Sequence, residues 1–221
     1  MNKGKIVFTI ENNAEGIYSA LYFSFVKKIK PDEIVDEKGY QPNLEDTVYN
    51  VRAGEFERER VKRALFSYAG QRFFDDVELC FLSDVHDLLG VIFRYGYLTL
   101  KSRKNVVHYL VHDDVYTFNH AVQNVTSERD NCARYQQFCL NSKSVMCAFF
   151  KPKCDILELS APLLFKKFGK QPFFIKDTGR DKIAMSNGEK LFLAKKEKGK
   201  LYYTCYSQLE FLSVYKQIVE N

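Results

Sequence analysis

Hydrophobic positions along this chain follow three different spacings, and the places where the spacing changes divide it. Residues 5–10, KIVFTI, are a short apolar run that stops at the turn formers Asn12 and Asn13, which predicts a strand. Ile17, Leu21, Phe25 and Ile29 then recur at helical spacing and predict a helix over 14–29. Residues 30–46 lose the pattern and carry Pro31, Gly39 and Pro42 among charges, the composition of a loop. TVYNV (47–51) predicts a second short strand, a hairpin-like partner for the first. From Gly54 to about Phe138 the spacing is helical throughout. EFERERVKRALFSYAG shows a mixed-charge face with Val61, Leu65 and Tyr68 inward, and apolar periodicity resumes over 77–83, 84–100 and 105–125. Four or five helices are predicted, with the pairs Asp75–Asp76 and Asp113–Asp114 at helix starts, where carboxylates complement the positive end of the helix dipole.

The pattern changes again near Asn141. SVMCAFF (144–150) is β-branched and aromatic and predicts a strand. DILELSAPLLFKKFG (155–169) predicts a helix with Gly169 just past its end, and Ser160 with Pro162 can cap a second start inside it. PFFIK, KIAMS and KLFLAK are short strands separated by DTGRD and by Asn187-Gly188, a tight-turn pair. In the first of those turns Gly179 suits a positive-φ position. LYYTCY adds a strand, and 208–219 reads as a closing helix. The expected fold class is α+β: N-terminal short strands, a central helical bundle, and a C-terminal β-α-β-β-β meander packed on helices. One domain is expected over 1–221, with subregions 1–53, 54–140 and 141–221. Neither G-x-G-x-x-G nor a P-loop is present, so a doubly wound nucleotide-binding fold is not indicated.

Composition narrows the class. With 46% hydrophobic and 28% charged residues the chain has a globular rather than a disordered profile, and 19 Phe and 14 Tyr with no Trp predict an aromatic-rich core. No apolar run nears the roughly 18–20 residues that span a bilayer, and the apolar run behind the basic start is too short for a signal peptide. A cytoplasmic protein without a membrane partner is expected. Net charge is +5, compatible with nucleic acid, and the later part is distinctly basic through Lys166, Lys167, Lys170, Lys176, Arg180, Lys182, Lys195, Lys196, Lys198 and Lys200. The six cysteines form no C-x-x-C and no zinc or iron–sulfur spacing, so reduced thiols and no cofactor are expected.

Few residues carry an obvious chemistry. His108 and His112 have i,i+4 spacing, but no Glu follows the first, so surface or packing histidines are the simpler reading over a metal site. No nucleophile elbow is present. KDTGRDK (176–182) is a turn that places Asp177 and Arg180 on one rim, flanked by Lys176 and Lys182, where cations could hold phosphates. In VTSERDNCARYQQF (125–138), Val125, Cys132, Tyr135 and Phe138 dock a helix on a core, leaving Glu128, Arg129 and Arg134 for function.

The succession Val125-x-x-Glu128, Phe138, Ala148, Pro152, Asp155-Ile156-Leu157, Ala161-Pro162, Phe168, Asp177, Arg180 and Asn187-Gly188 resembles a bacterial domain-of-unknown-function family of DNA metabolism and DNA repair proteins. Members of that family look like companions of a radical-SAM protein for DNA modification or repair, and some are fused to a uracil-DNA-glycosylase-like domain. Where the family pattern has His, Arg, Gly and Arg in the helix, this chain has Asp130, Asn131, Arg134 and Gln137, and Cys154 and Leu163 replace two further histidines. Neither Asp nor Gln can take over an imidazole's acid–base or a guanidinium's phosphate role. The basic later half, the lack of a catalytic constellation and the resemblance together favour an accessory protein that binds DNA, a radical-SAM partner, or both, with Arg129, Arg134, Lys176, Arg180 and Lys182 as the candidate contacts. A nucleic-acid-acting enzyme of glycosylase or nuclease type, using Glu128, Asp155 and Asp177, is the second reading, and a protein-interaction scaffold the third.

Overall fold

The computed structural model describes residues 4–197, 200–203 and 213–216 of an α+β fold that divides into two compact units, 1–123 and 124–221. The first unit holds β1 (Ile6–Ile10), α1 (Ala14–Lys27), β2 (Glu33–Asp36), β3 (Thr47–Asn50), α2 (Glu55–Ala69), α3 (Gln71–Phe81) and α4 (Leu88–Ser102). α5 (Asp113–Tyr135) contains the division. The second unit continues with β4 (Cys139–Leu140), β5 (Met146–Phe150), α6 (Leu157–Phe168), β6 (Phe173–Asp177), β7 (Lys182–Ser186), β8 (Leu191–Glu197) and β9 (Lys200–Tyr203).

In the first unit the strands run in the order β2-β1-β3, and both neighbours are parallel to β1. This corrects two expectations. Residues 33–36 are a strand rather than loop, and β3 is not the second arm of a hairpin. A parallel partner needs a crossover, which α1 supplies between β1 and β2. Asn13 caps α1 by accepting from the Gly16 amide at 2.8 Å. α1, α2, α3 and α4 enclose an aromatic core in which Tyr95 stacks on Phe118 of α5 at 3.9 Å and on Phe73 of α3 at 5.6 Å. The acid pair Asp75–Asp76 lies mid-α3 instead of at a helix start. Asp76 is held there by Arg72 one turn earlier at 3.3 Å, and burial lifts its carboxyl above the usual range. Asp113–Asp114 do open α5, and Asp114 pairs with Arg94 of α4 at 2.7 Å. Because α5 begins only at Asp113, His108 and His112 share no helix, and their i,i+4 spacing sets up no common face.

The second unit is a six-stranded sheet, β4-β5-β6-β7-β8-β9, in which strand order follows chain order. β5 and β6 are parallel and joined by α6, and the other pairs are antiparallel. The expected meander is therefore present. α6 is a single helix with Pro162 inside it, and the bond from the Ser160 amide to the Ile156 carbonyl, 2.8 Å, carries it past the restart that Ser160 would have capped. One sheet face buries Val145, Phe174, Ile183, Met185, Phe192 and Ala194. Phe173, Ile175 and Ala184 point to the other face, the side of α6, because successive side chains alternate. Gly188 turns β7 into β8 at φ +92, and a Cβ there would lie 2.2 Å from the Lys170 carbonyl oxygen, so only glycine fits. The predicted closing helix falls mostly outside the described residues, within which 213–216 are helical.

Candidate nucleic-acid interface

Between β5 and α6 the chain runs through Lys151-Pro152-Lys153-Cys154-Asp155-Ile156, too irregular to satisfy its own backbone. Two side chains, Glu128 and Arg180, bond its backbone groups instead, and Lys182 ties down its Asp155 side chain. Glu128, on α5, accepts from the Lys153 amide through Oε1 at 2.9 Å and from the Cys154 amide through Oε2 at 2.7 Å. Arg180, past the end of β6, donates through Nη1 to the Pro152 carbonyl at 3.1 Å and through Nη2 to the Lys153 carbonyl. The same guanidinium pairs with Asp177 at 3.1 Å. Asp177 is the fully buried last residue of β6, and its other oxygen accepts from the Gly179 amide at 2.8 Å and the Arg180 amide at 3.3 Å. Lys182, directly across from Asp177 on β7, reaches Asp155 at 2.7 Å and Glu158 of α6 at 2.9 Å.

Five of the eight residues singled out from the sequence, Glu128, Asp155, Asp177, Arg180 and Lys182, thus meet around one loop. There Glu128 and Arg180 bond the loop's backbone, Asp177 pairs with Arg180, and Lys182 joins Asp155 to Glu158. Asp177 is not on a rim: the period-two alternation of β6 turns it inward, and Arg180 follows it to neutralise a buried charge. Lys182 is 9% exposed and faces α6 rather than solvent. The positive-φ residue of the intervening turn is Asp181, at φ 54, in place of Gly179; a short polar side chain tolerates this conformation, and Lys176 holds that carboxylate at 2.7 Å. Arg129 is paired with the neighbouring Asp130 at 2.7 Å. Only Arg134 projects into solvent, with no hydrogen bond or ion pair from its side chain among the described residues.

The Lys182 cluster has a pH signature. Burial pulls the ammonium pKa down, but the paired carboxylates of Asp155 and Glu158 outweigh it and leave the group above the ordinary 10.5. A raised pKa in the folded state contributes stability that is full below 10.5 and is lost as pH rises through the folded value. The difference in urea midpoint between wild type and Lys182→Met is therefore expected to be constant through neutral pH and to shrink above pH 10.5. A difference that stays constant into strong alkali would mean the lysine acts by packing alone.

The pinned loop forms one wall of an open groove of about 480 Å³. Its other wall is the face of α5 that carries Glu128, Asn131, Cys132 and Tyr135, positions i, i+3, i+4 and i+7, followed by Gln136 and Gln137. Phe150 and Pro152 supply apolar surface above the buried Ile156, and Lys151 stands at the edge. Burial holds the Cys132 thiol above its usual range, so it is no ready thiolate. The groove opens beyond the carboxyl end of β5, beside the Asp177–Arg180 turn at the same end of its parallel neighbour β6. That edge of a parallel pair is where ligands bind in open α/β sheets.

Charge is divided unequally between the units. Residues 124–221 carry 17 Lys and Arg against 10 Asp and Glu, a net +7, while residues 1–123 carry 16 against 18, a net −2. On the second unit Lys151, Lys153, Lys166 and Lys170 are exposed, and among the described residues their ammonium groups make no ion pair. Lys167 instead caps the last turn of α5, donating to the carbonyls of Ala133 at 2.9 Å and Arg134 at 3.2 Å. The side chains of Lys196, Lys198 and Lys200 lie outside the described residues. Lys151 and Lys153 are absent from the sequence reading, although Lys-Pro-Lys after the last residue of a predicted strand is the pattern that marks them.

A comparison with protein families matches residues 87–214 to the family described as a domain of unknown function, DUF4130. The chain belongs to that family. The DUF4130 region runs from the start of α4 into the described part of the closing segment, so it takes in the pinned loop, every residue that holds it, and the whole groove. No curated protein and no solved structure matches the chain. Among the described residues no cluster of three or more His, Cys, Asp or Glu side chains could hold a metal ion, and no helix is long and apolar enough to cross a membrane.

Proposed function

We propose that this DUF4130 protein is an accessory factor of DNA metabolism that binds DNA through its second unit. The observation that carries the reading is the disposition of charge along the pinned loop and the last turn of α5. The cations Arg134, Lys151 and Lys153 face solvent, whereas the carboxylates of Glu128 and Asp177 are committed to backbone amides and to Arg180. A face with free cations and engaged acids attracts phosphates. The resemblance described above adds a partner, a radical-SAM enzyme of DNA repair or modification, and links the chain with relatives fused to a uracil-DNA-glycosylase-like domain.

The enzymatic reading comes second, because Glu128 cannot act as acid or base without releasing both amides of the loop it holds. Asp155 has one oxygen on Lys182 and the other buried without a hydrogen-bond partner among the described residues, a geometry that fits loop anchoring as well.

Fluorescence anisotropy with a labelled 20-nucleotide DNA across a salt series tests the proposal. The logarithm of affinity should fall linearly with the logarithm of salt concentration, and Lys153→Ala or Arg134→Ala should each make that slope shallower by about one. Absence of binding at 50 mM salt, or affinity indifferent to salt, would overturn it, the latter pointing to a protein partner.

A further inference from the structure

Three features of the groove are not explained by attraction to phosphate alone. Tyr135 is 73% exposed and makes no ring contact among the described residues, although it stands on a helix face whose neighbour Cys132 is buried. An aromatic ring left open beside apolar surface retains the free energy of covering it, which a flat partner can collect. Opposite it, Phe150 and Pro152 offer a second apolar wall. Next, three of the polar groups that line the groove are side-chain amides, Asn131, Gln136 and Gln137, and each carries both a donor and an acceptor. Such groups read hydrogen-bonding edges that mix donors and acceptors, as base edges do, while a phosphate offers acceptors only. Finally, the cationic lining is a single residue at the edge, Lys151, with Lys153 two positions on.

We infer that the groove receives an unpaired nucleobase of single-stranded DNA, with Tyr135 as the stacking plane, Asn131 and Gln137 on the edge of the base, and Lys151 on the adjoining phosphate. The inference rests on the DNA-binding reading and specifies which form of DNA the site selects. A volume of about 480 Å³ lies within the range of sites that enclose small molecules and is ample for one nucleotide. Bases in a duplex have both faces covered by their neighbours and cannot offer one to Tyr135, so selection for a single strand follows from the stacking geometry. The two amide donors that Glu128 accepts from offset part of its charge toward a bound backbone. The negative end of α5 is likewise covered where Lys167 takes the carbonyls of Ala133 and Arg134.

The experiment compares a labelled 12-nucleotide single strand with the duplex of the same sequence at one salt concentration, using wild type, Tyr135→Ala, Tyr135→Phe and the double variant Asn131→Ala/Gln137→Ala. Wild type should bind the single strand at least about 10-fold more tightly than the duplex. Tyr135→Ala should lose about 10-fold or more of single-strand affinity and leave duplex affinity unchanged, whereas Tyr135→Phe, which keeps the ring, should retain it. The double amide variant should weaken the single strand alone. A 2-aminopurine placed in the strand should lose fluorescence on binding wild type and keep it with Tyr135→Ala. Exposure of the ring means that Tyr135→Ala folds, which an unchanged urea midpoint checks. Equal affinity for both DNA forms, or a silent Tyr135→Ala, overturns this inference and leaves the DNA-binding reading standing. Failure of wild type to bind either form removes both.

Discussion

Arg180→Ala is expected to destabilise the second unit by about 3 kcal/mol, toward the low end of the cost of breaking a buried ion pair. Asp177 is fully buried, so removing its cation leaves a carboxylate that water cannot reach directly. The guanidinium itself is 28% exposed, and solvent that enters the vacated space offsets part of the penalty. Two further bonds are lost, to the carbonyls of Pro152 and Lys153. Arg180→Lys should recover part of the stability, since an ammonium keeps the attraction but cannot fork between a carboxylate and two carbonyls. Adding Asp177→Asn to Arg180→Ala should restore some of the loss, because the stranded charge disappears with it. Urea denaturation with amide exchange of β6 and β7 reads these four proteins and the Asp177→Asn single variant, which closes the cycle. Single variants within 0.5 kcal/mol of wild type, together with strict additivity in the double, would show that the pair does not hold the loop.

Glu128→Ala is expected to cost about 2 kcal/mol and to weaken DNA binding without changing its salt slope. The two amides it serves differ. Lys153 is exposed and its N–H finds water, whereas Cys154 is 1% exposed and its N–H cannot turn to solvent, so most of the cost falls there. Glu128→Gln keeps one acceptor oxygen and should lose roughly half as much. This conservative change also separates the two readings of the residue. A structural anchor tolerates glutamine in proportion to the bonds retained, while a general acid or base loses its chemistry outright. Equal and complete loss of function in both variants, with stability unchanged in the glutamine form, would return Glu128 to the catalytic reading.

The helices were legible because each buries one long stripe, and repetition of apolar positions at 3.6-residue spacing survives local exceptions. β2 was not, because four residues with one deeply buried side chain, Ile34, are too few to establish alternation against the surrounding charges and turn residues. The parallel pairing of β3 was hidden for a related reason. Strand direction depends on how the chain crosses over, and nothing within TVYNV encodes that. At the site the residue types Glu128, Asp155, Asp177, Arg180 and Lys182 stood out in the sequence, but the bonds that join Glu128 and Arg180 to the loop and Lys182 to Asp155 and Glu158 span 24 to 28 positions, beyond any local pattern; only Asp177 bonds to its near neighbours.

By itself the sequence determined the α+β class, the Asn187-Gly188 turn between adjacent strands, the basic character of the later residues and which ionisable groups were unusual. These properties follow from local sterics, periodicity and counted charge, and each is a sum over neighbours in the chain. The tertiary structure alone decided which cations face water. Arg180 and Lys182 turn inward because the strand ends at Asp177 and Lys182 bring them to the loop and to the carboxylates Asp177, Asp155 and Glu158, while Arg134, Lys151 and Lys153 meet no such partner among the described residues and stay exposed. A charge is worth what surrounds it, and for these residues the surroundings come from strand pairing and a helix crossover that no short stretch of the chain contains.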